Sequence, residues 1–151
     1  MNRKLKTLFE ERDNVIHSVS GNHSIKEAVD LMNKYHIGAL IVLDEGKNIE
    51  GIVTERDVMK KLAETDELVG HLKVKEIMTP KEKLIITDGE CTIEEMMISM
   101  TEKKIRHMPI VGKDGKLWGM ISMRDIIRIL LADAKAKVNH LNNYITGKYP
   151  A

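Results

Sequence analysis

Apolar and polar positions alternate along this chain in two rhythms, and the same order of rhythms occurs twice. Leu5, Leu8 and Phe9 stand at helical spacing and predict a short amphipathic helix over residues 1–12. A short strand is expected at 15–19. Asn22 or Ser24 then caps a helix, with Glu27 three residues after Ser24 as a capping-box partner. Ile25, Ala28, Val29, Met32 and Tyr35 form the apolar face of that helix. The continuous run from Gly38 to Leu43 suits a buried strand. A turn at 44–48 leads to a returning strand at 49–53, and Thr54 caps a helix reaching about residue 67. Residues 69–79 connect the halves, with a helical turn at 75–78 stopped before Pro80.

The order then restarts. A strand is expected at 83–87. Thr92 caps a helix with Glu95 as its partner, and Ile93, Met96, Met97 and Met100 form its apolar face. A strand at 108–111, a turn at 113–116 and a returning strand at 117–121 follow. Ser122 opens a last helix from Met123 to about Ile145, ended by Gly147 and Pro150. Ile127, Leu131, Ala134, Val138, Leu141 and Ile145 make a heptad-like seam on it. That seam either packs back on its own domain or forms a homodimer contact.

One stretch anchors the duplication. Gly51-Ile52-Val53-Thr54-Glu55-Arg56-Asp57 returns as Gly119-Met120-Ile121-Ser122-Met123-Arg124-Asp125, 68 residues later (119 − 51). The fold class is therefore α/β (α+β): two tandem repeats of strand-helix-strand-strand-helix, plus an extended C-terminal helix. In each copy a strand meets a helix. The hydroxyl of Thr54 or Ser122 sits at a helix start, where free N–H groups favour an anion. Asp57 and Asp125 follow three residues later, on the same side, and a fixed carboxylate can accept two hydrogen bonds from a vicinal diol. Arg56 and Arg124 add cations suited to phosphate. A hydroxyl followed by a carboxylate three residues on is also an ordinary helix cap, and a duplicated fold duplicates its caps.

Composition narrows the classes of function. The 24 basic and 23 acidic residues leave a net charge of +1, so nothing draws the chain globally to nucleic acid or anionic lipid. A single cysteine excludes an intramolecular disulfide and suits a reducing compartment. No apolar run approaches a membrane span, and the N-terminal residues lack the pattern of a signal peptide. A soluble cytoplasmic protein is expected. The six histidines are scattered and Cys91 has no Cys or His at ligand spacing, so no metal site is expected. Neither a nucleophile elbow, a Walker A loop nor Gly-x-Gly-x-x-Gly occurs, and no catalytic residue is assigned.

The two anchoring stretches resemble the Gly-hydrophobic-hydrophobic-Ser/Thr-x-x-Asp signature of CBS domains, named after cystathionine beta-synthase. Ile105-Arg106-His107-Met108-Pro109-Ile110-Val111 resembles the strand motif that precedes it, with Ile37-Gly38-Ala39-Leu40-Ile41-Val42 as its counterpart. Lys75-Glu76-Ile77-Met78-Thr79-Pro80 looks like the opening of a second CBS repeat. The resemblance covers about residues 13–132 and is nearest to stand-alone bacterial and archaeal CBS pairs, often called Bateman modules. It implies an N-terminal helical segment (1–12), a first repeat (13–68), a linker (69–79), a second repeat (80–133) and a C-terminal extension (134–151). It also implies a regulatory module without catalysis that binds AMP, ADP, ATP, NAD or S-adenosylmethionine in clefts between the sheets, AMP foremost. Carried over by position, ribose falls to Asp57 and Asp125, and the hydroxyl role to Thr54 and Ser122. The adenine-side backbone falls to Ile37, Gly38 and Ala39, and to Arg106, His107 and Met108, with Pro109 beside them. Because Arg106-His107 is basic where Ile37-Gly38 is not, the second half is expected to contribute more phosphate recognition. Arg106 as a plain surface cation and His107 as a buried histidine are the competing readings. A homodimer and an effector protein are the expected partners; the alternative is a ligand-independent interaction module.

Overall fold

The computed structural model describes residues 4–147, apart from 11–14. Its elements are α1 (Leu5–Glu10), β1 (Ser18–Ser20), α2 (Ile25–Tyr35), β2 (Ala39–Leu43), β3 (Ile49–Thr54), α3 (Glu55–Glu64), β4 (Thr79–Pro80), α4 (Ile93–Glu102), β5 (His107–Val111), β6 (Leu117–Ser122) and α5 (Met123–Ile145). Short 3-10 turns occupy Val74–Glu76 and Lys81–Lys83.

Local capping sets the helix starts. Ser24, Thr54, Thr92 and Ser122 each accept from the backbone N–H of the third residue on, and that residue's carboxylate accepts in return from the cap N–H. Such boxes satisfy two of the amides that a helix start leaves unpaired. In the first sheet, β1 runs parallel to β2, while β2–β3 and β3–β4 are antiparallel. In the second, β5 and β6 pair antiparallel. Both hairpins shift register at the same place, between Val42 and Leu43 and between Ile110 and Val111. The repeat thus extends to its irregularities.

Each half has its own core. Val19, Ala28, Met32, Leu40, Val42, Val53 and Val74 form the first. The second is built around Ile93, Met96, Met100, Met108, Ile110, Ile121 and Ile126. The segment preceding each repeat packs on the other one. Leu5 and Leu8 of α1 are buried in the second core, and Val74 of the connecting segment is buried in the first. The docking bonds correspond: Leu5 and Lys6 N–H donate to the carbonyls of Cys91 and Gly89, as Val74 and Lys75 do to those of His23 and Gly21. A Lys4–Glu90 ion pair at 2.8 Å flanks the first of these.

Several expectations need correction. The strand expected at 83–87 is reduced to one bridge, Thr87 to Ile110. The chain coils through a 3-10 turn after Pro80, and Gly89, at φ +80°, turns it away again. The first strand starts at Ser18, and Val15 is 72% exposed. Helix α3 stops at Glu64, because Thr65 is extended (φ −148°, ψ 148°). Val29 and Tyr35 turn away from the core formed by Ile25, Ala28 and Met32. Strand β4 straddles the expected boundary between the connector (69–79) and the second repeat (80–133). The C-terminal seam does not pack back: Ile127 is 50% exposed and Ile145 79%, with Leu131, Val138 and Leu141 between these values. Only Ile126 and Ile129 of α5 are buried. Of the expected N-terminal helix, residues 1–3 and 11–12 lie outside the described residues, as does Pro150.

Candidate functional site

The signature glycines are there for space. Neither has a positive φ. A Cβ on Gly51 would lie 2.4 Å from the Thr79 carbonyl oxygen and 3.0 Å from the Met78 sulfur. A Cβ on Gly119 would lie 2.8 Å from the Phe9 ring. Each glycine is therefore the seat of the exchanged segment, β4 on one side and α1 on the other.

The carboxylates that follow close the helix caps. Asp57 Oδ2 accepts from Thr54 N–H (2.7 Å) and from Thr54 Oγ1 (3.0 Å). Asp125 Oδ2 accepts from Ser122 N–H (2.9 Å) and Ser122 Oγ (2.6 Å). Every hydrogen bond to these two carboxylates from the described residues falls on Oδ2, and none falls on Oδ1. A cap and a ligand-binding carboxylate are compatible in one residue: the cap holds the group still, and rigidity lowers the cost of binding.

A cleft of about 1100 Å³ opens between the halves. From the first half it takes Ile37, Gly38, Ala39 and Glu55; from the second, Arg106, His107, Ser122, Arg124, Asp125 and Arg128. Leu8 and Phe9 of α1, with Gly119 and Ile121 of β6, line an apolar part. His17 stacks on Tyr35 with ring centres 4.2 Å apart, and both border the same space. Thr54, Arg56 and Asp57 do not line it, nor do Met108 and Pro109, which are buried in β5. Eight of the residues assigned by position are thus brought together, from both halves, around the second carboxylate.

Charge is uneven within the cleft. Three guanidinium groups, Arg106, Arg124 and Arg128, face two carboxylates, Glu55 and Asp125. Arg106 Nη2 lies 3.3 Å from Glu55 Oε1. His107 is held below its ordinary value of 6.5, first by burial and then by Arg106, against the opposing pull of Glu55 and Asp125. It is neutral at pH 7 and presents one donor and one acceptor nitrogen. The carbonyls of Gly38 and Arg106 each accept from the first amide of the following helix, Glu55 and Met123 respectively. Among the described residues no group of three or more His, Cys, Asp or Glu could hold a metal ion.

Sequence reasoning passed over Glu55, Arg128, Phe9 and the His17–Tyr35 pair. Arg128 had a signal, since it stands one helical turn after Arg124. Glu55 had none, because its partner is 51 residues away.

The sequence profile described as "CBS domain" matches residues 4–64 and 74–132. The chain belongs to the CBS domain family. This CBS pair is 34% identical over 128 residues to the CBS domain-containing protein CBSX3, mitochondrial, of Arabidopsis thaliana, covering 83% of this chain and 62% of that protein. It thus spans about three fifths of that relative's length. A CBS-domain containing protein from Agrobacterium tumefaciens superposes with a TM-score of 0.77 at 29% identity, covering 85% of this chain and 93% of the other. The CBS domain pair of protein MJ0100, solved in complex with 5'-methylthioadenosine and S-adenosyl-L-methionine, superposes at TM-score 0.71 and 25% identity, covering 85% and 99%. No described helix of this CBS pair is long and apolar enough to cross a membrane.

Proposed function

We propose that this CBS pair is a regulatory module, without catalysis, that binds an adenosine-containing ligand in the cleft between its repeats. The observation that carries the reading is Asp125: its Oδ2 is tied into the α5 cap and its Oδ1 accepts no hydrogen bond from the described residues, in a cleft bordered by three arginines. Ribose hydroxyls donate to the Asp125 carboxylate. Phosphate lies towards Arg106, Arg124 and the α5 N-terminus, where a guanidinium can bind it with two parallel hydrogen bonds. Adenine rests against the Ile37–Ala39 edge and the apolar lining. AMP fits this charge arrangement first; ADP, ATP and NAD share its adenosine and anionic phosphate. The MJ0100 complex, whose ligands both contain adenosine, supports an adenosine site in this fold. Thr54 and Asp57 form an equivalent cap outside this cleft and, with Arg56, are proposed as the second, separate ligand position.

We place the protein in the cytoplasm as a homodimer acting on an effector protein. The exposed apolar residues of α5, together with Met59 and Leu62 of α3, support the dimer. A ligand would change the output only through different affinity for two packings of the repeats or subunits. The same exposed face favours a second reading, a ligand-independent interaction module.

Thermal unfolding of ligand-stripped protein with AMP, ADP, ATP, NAD or S-adenosylmethionine separates the two. At 100 times its dissociation constant a ligand stabilises the fold by about 2.7 kcal/mol, a rise of roughly 5–10 °C for a chain of this size. Asp125→Ala should weaken that ligand by about tenfold or more, the usual scale for a lost charge-assisted hydrogen bond. No rise with any of the five ligands would leave the interaction module as the function.

A further inference from the structure

Glu55 and Arg106 form the ion pair that bridges the halves across the cleft. The pairing breaks the symmetry of the repeat. The hairpin registers, Ala39 opposite Thr54 and His107 opposite Ser122, move the expected match of Arg106-His107 from Ile37-Gly38 to Gly38-Ala39; Arg106 thus occupies the position that Gly38 holds in the first half, and Glu55 the position that Met123 holds in the second (106 − 38 and 123 − 55 are both 68). One diagonal is charged; the other is glycine and methionine. Gly38 also makes room for the Glu55 carboxylate, since an added Cβ there would stand 3.1 Å from its Cδ and Oε1. Both side chains are more than half exposed, so the pair is solvated and can open at little cost.

Resting on the proposed nucleotide site, we infer that Glu55 sets the charge selectivity of the cleft by occupying Arg106 in the empty protein. A ligand phosphate must take Arg106 from Glu55 and lie beside a carboxylate. A neutral nucleoside has no such competition. The contact between repeats is then exchanged for a contact with ligand, so phosphate binding and the loss of a cross-repeat bridge are the same event. Arg124 and Arg128 remain as cations without an ion pair among the described residues, and they keep the cleft open to anions while Glu55 limits their reach.

Calorimetric titration of the full, ligand-free chain with AMP and with adenosine tests this. Glu55→Gln keeps the side-chain shape and removes the charge. It should tighten AMP by roughly 3- to 10-fold and change adenosine by less than about twofold, given the modest worth of a solvated ion pair plus the repulsion relieved. Arg106→Gln should weaken AMP, and Glu55→Gln should then lose most of its effect in that background. Unfolding midpoints of the variants check that each is folded. AMP affinity that is unchanged or weakened in Glu55→Gln, with AMP still binding the parent protein, overturns the role of Glu55 and leaves the nucleotide site standing. Failure of AMP and adenosine to bind any of the proteins overturns the role of Glu55, and the nucleotide site falls with it when ADP, ATP, NAD and S-adenosylmethionine also fail to bind.

Discussion

Replacing Gly51 by alanine puts a single carbon where the structure has no room. The new Cβ would stand 2.4 Å from the Thr79 carbonyl oxygen, whereas ordinary contact begins near 3.4 Å. About 1 Å of movement is required, and the obstacle is backbone. Thr79 belongs to β4, which pairs Gly51 with Pro80 and Ile52 with Thr79, so relief must come from parting that ladder. Overpacking of this kind costs about 1–3 kcal/mol, and a weakened ladder adds roughly 1 kcal/mol. The loss of glycine's freedom in the unfolded chain returns about 0.4–1 kcal/mol. The expected net cost of Gly51→Ala is therefore about 1–3.6 kcal/mol, or roughly 2–14 °C in unfolding midpoint. Gly119→Ala is the internal control. There the added carbon meets the Phe9 ring at 2.8 Å, and a ring edge moves more easily than a carbonyl. Its cost should be smaller, about 0.5–1.5 kcal/mol. Urea unfolding gives both numbers from the midpoints, provided the slopes match. A Gly51→Ala protein within about 0.5 kcal/mol of the parent, or less destabilised than Gly119→Ala, would refute the view that the signature glycine exists to seat the exchanged segment.

Two further outcomes follow from the geometry. His107 has its proton affinity lowered on folding, so the unfolded chain binds more protons below its ordinary value of 6.5. Stability should be full above that value and decline as pH falls through the lower folded-state value; urea midpoints of His107→Gln should fall less between about pH 7 and 5 than those of the parent, and equal declines would remove His107 as the cause. Cutting the chain after Ala132 removes Val138, Leu141 and Ile145, and if the proposed homodimer uses this face, light scattering should report a dimer for the full chain and a shift towards monomer after the cut; an unchanged dimer takes the distal part of α5 out of the interface.

The legible part of this protein was local. Thr92 with Glu95 and Ser122 with Asp125 are boxes closed within three residues, and the starts of α4 and α5 follow from them directly. Periodicity carried α5 from Met123 to Ile145 because an apolar repeat advances with the helix itself. Where a short strand depended on a distant partner, local reading was weaker: the strand at 83–87 shrank to one bridge, and β4 went unseen.

The candidate site shows the same division. The duplicated sequence by itself determined two equivalent caps, and Asp57 and Asp125 make nearly the same bonds. Tertiary structure alone decided that Asp125 borders the cleft with Arg106, Arg128 and Glu55, that α1 belongs to the second core, and that the α5 seam faces outward. The physical reason is separation along the chain. A cap or a helical face is settled by atoms within one turn of each other. The Glu55–Arg106 pair closes over 51 residues and the Lys4–Glu90 pair over 86, and contacts of that reach carry no imprint in the residues beside them.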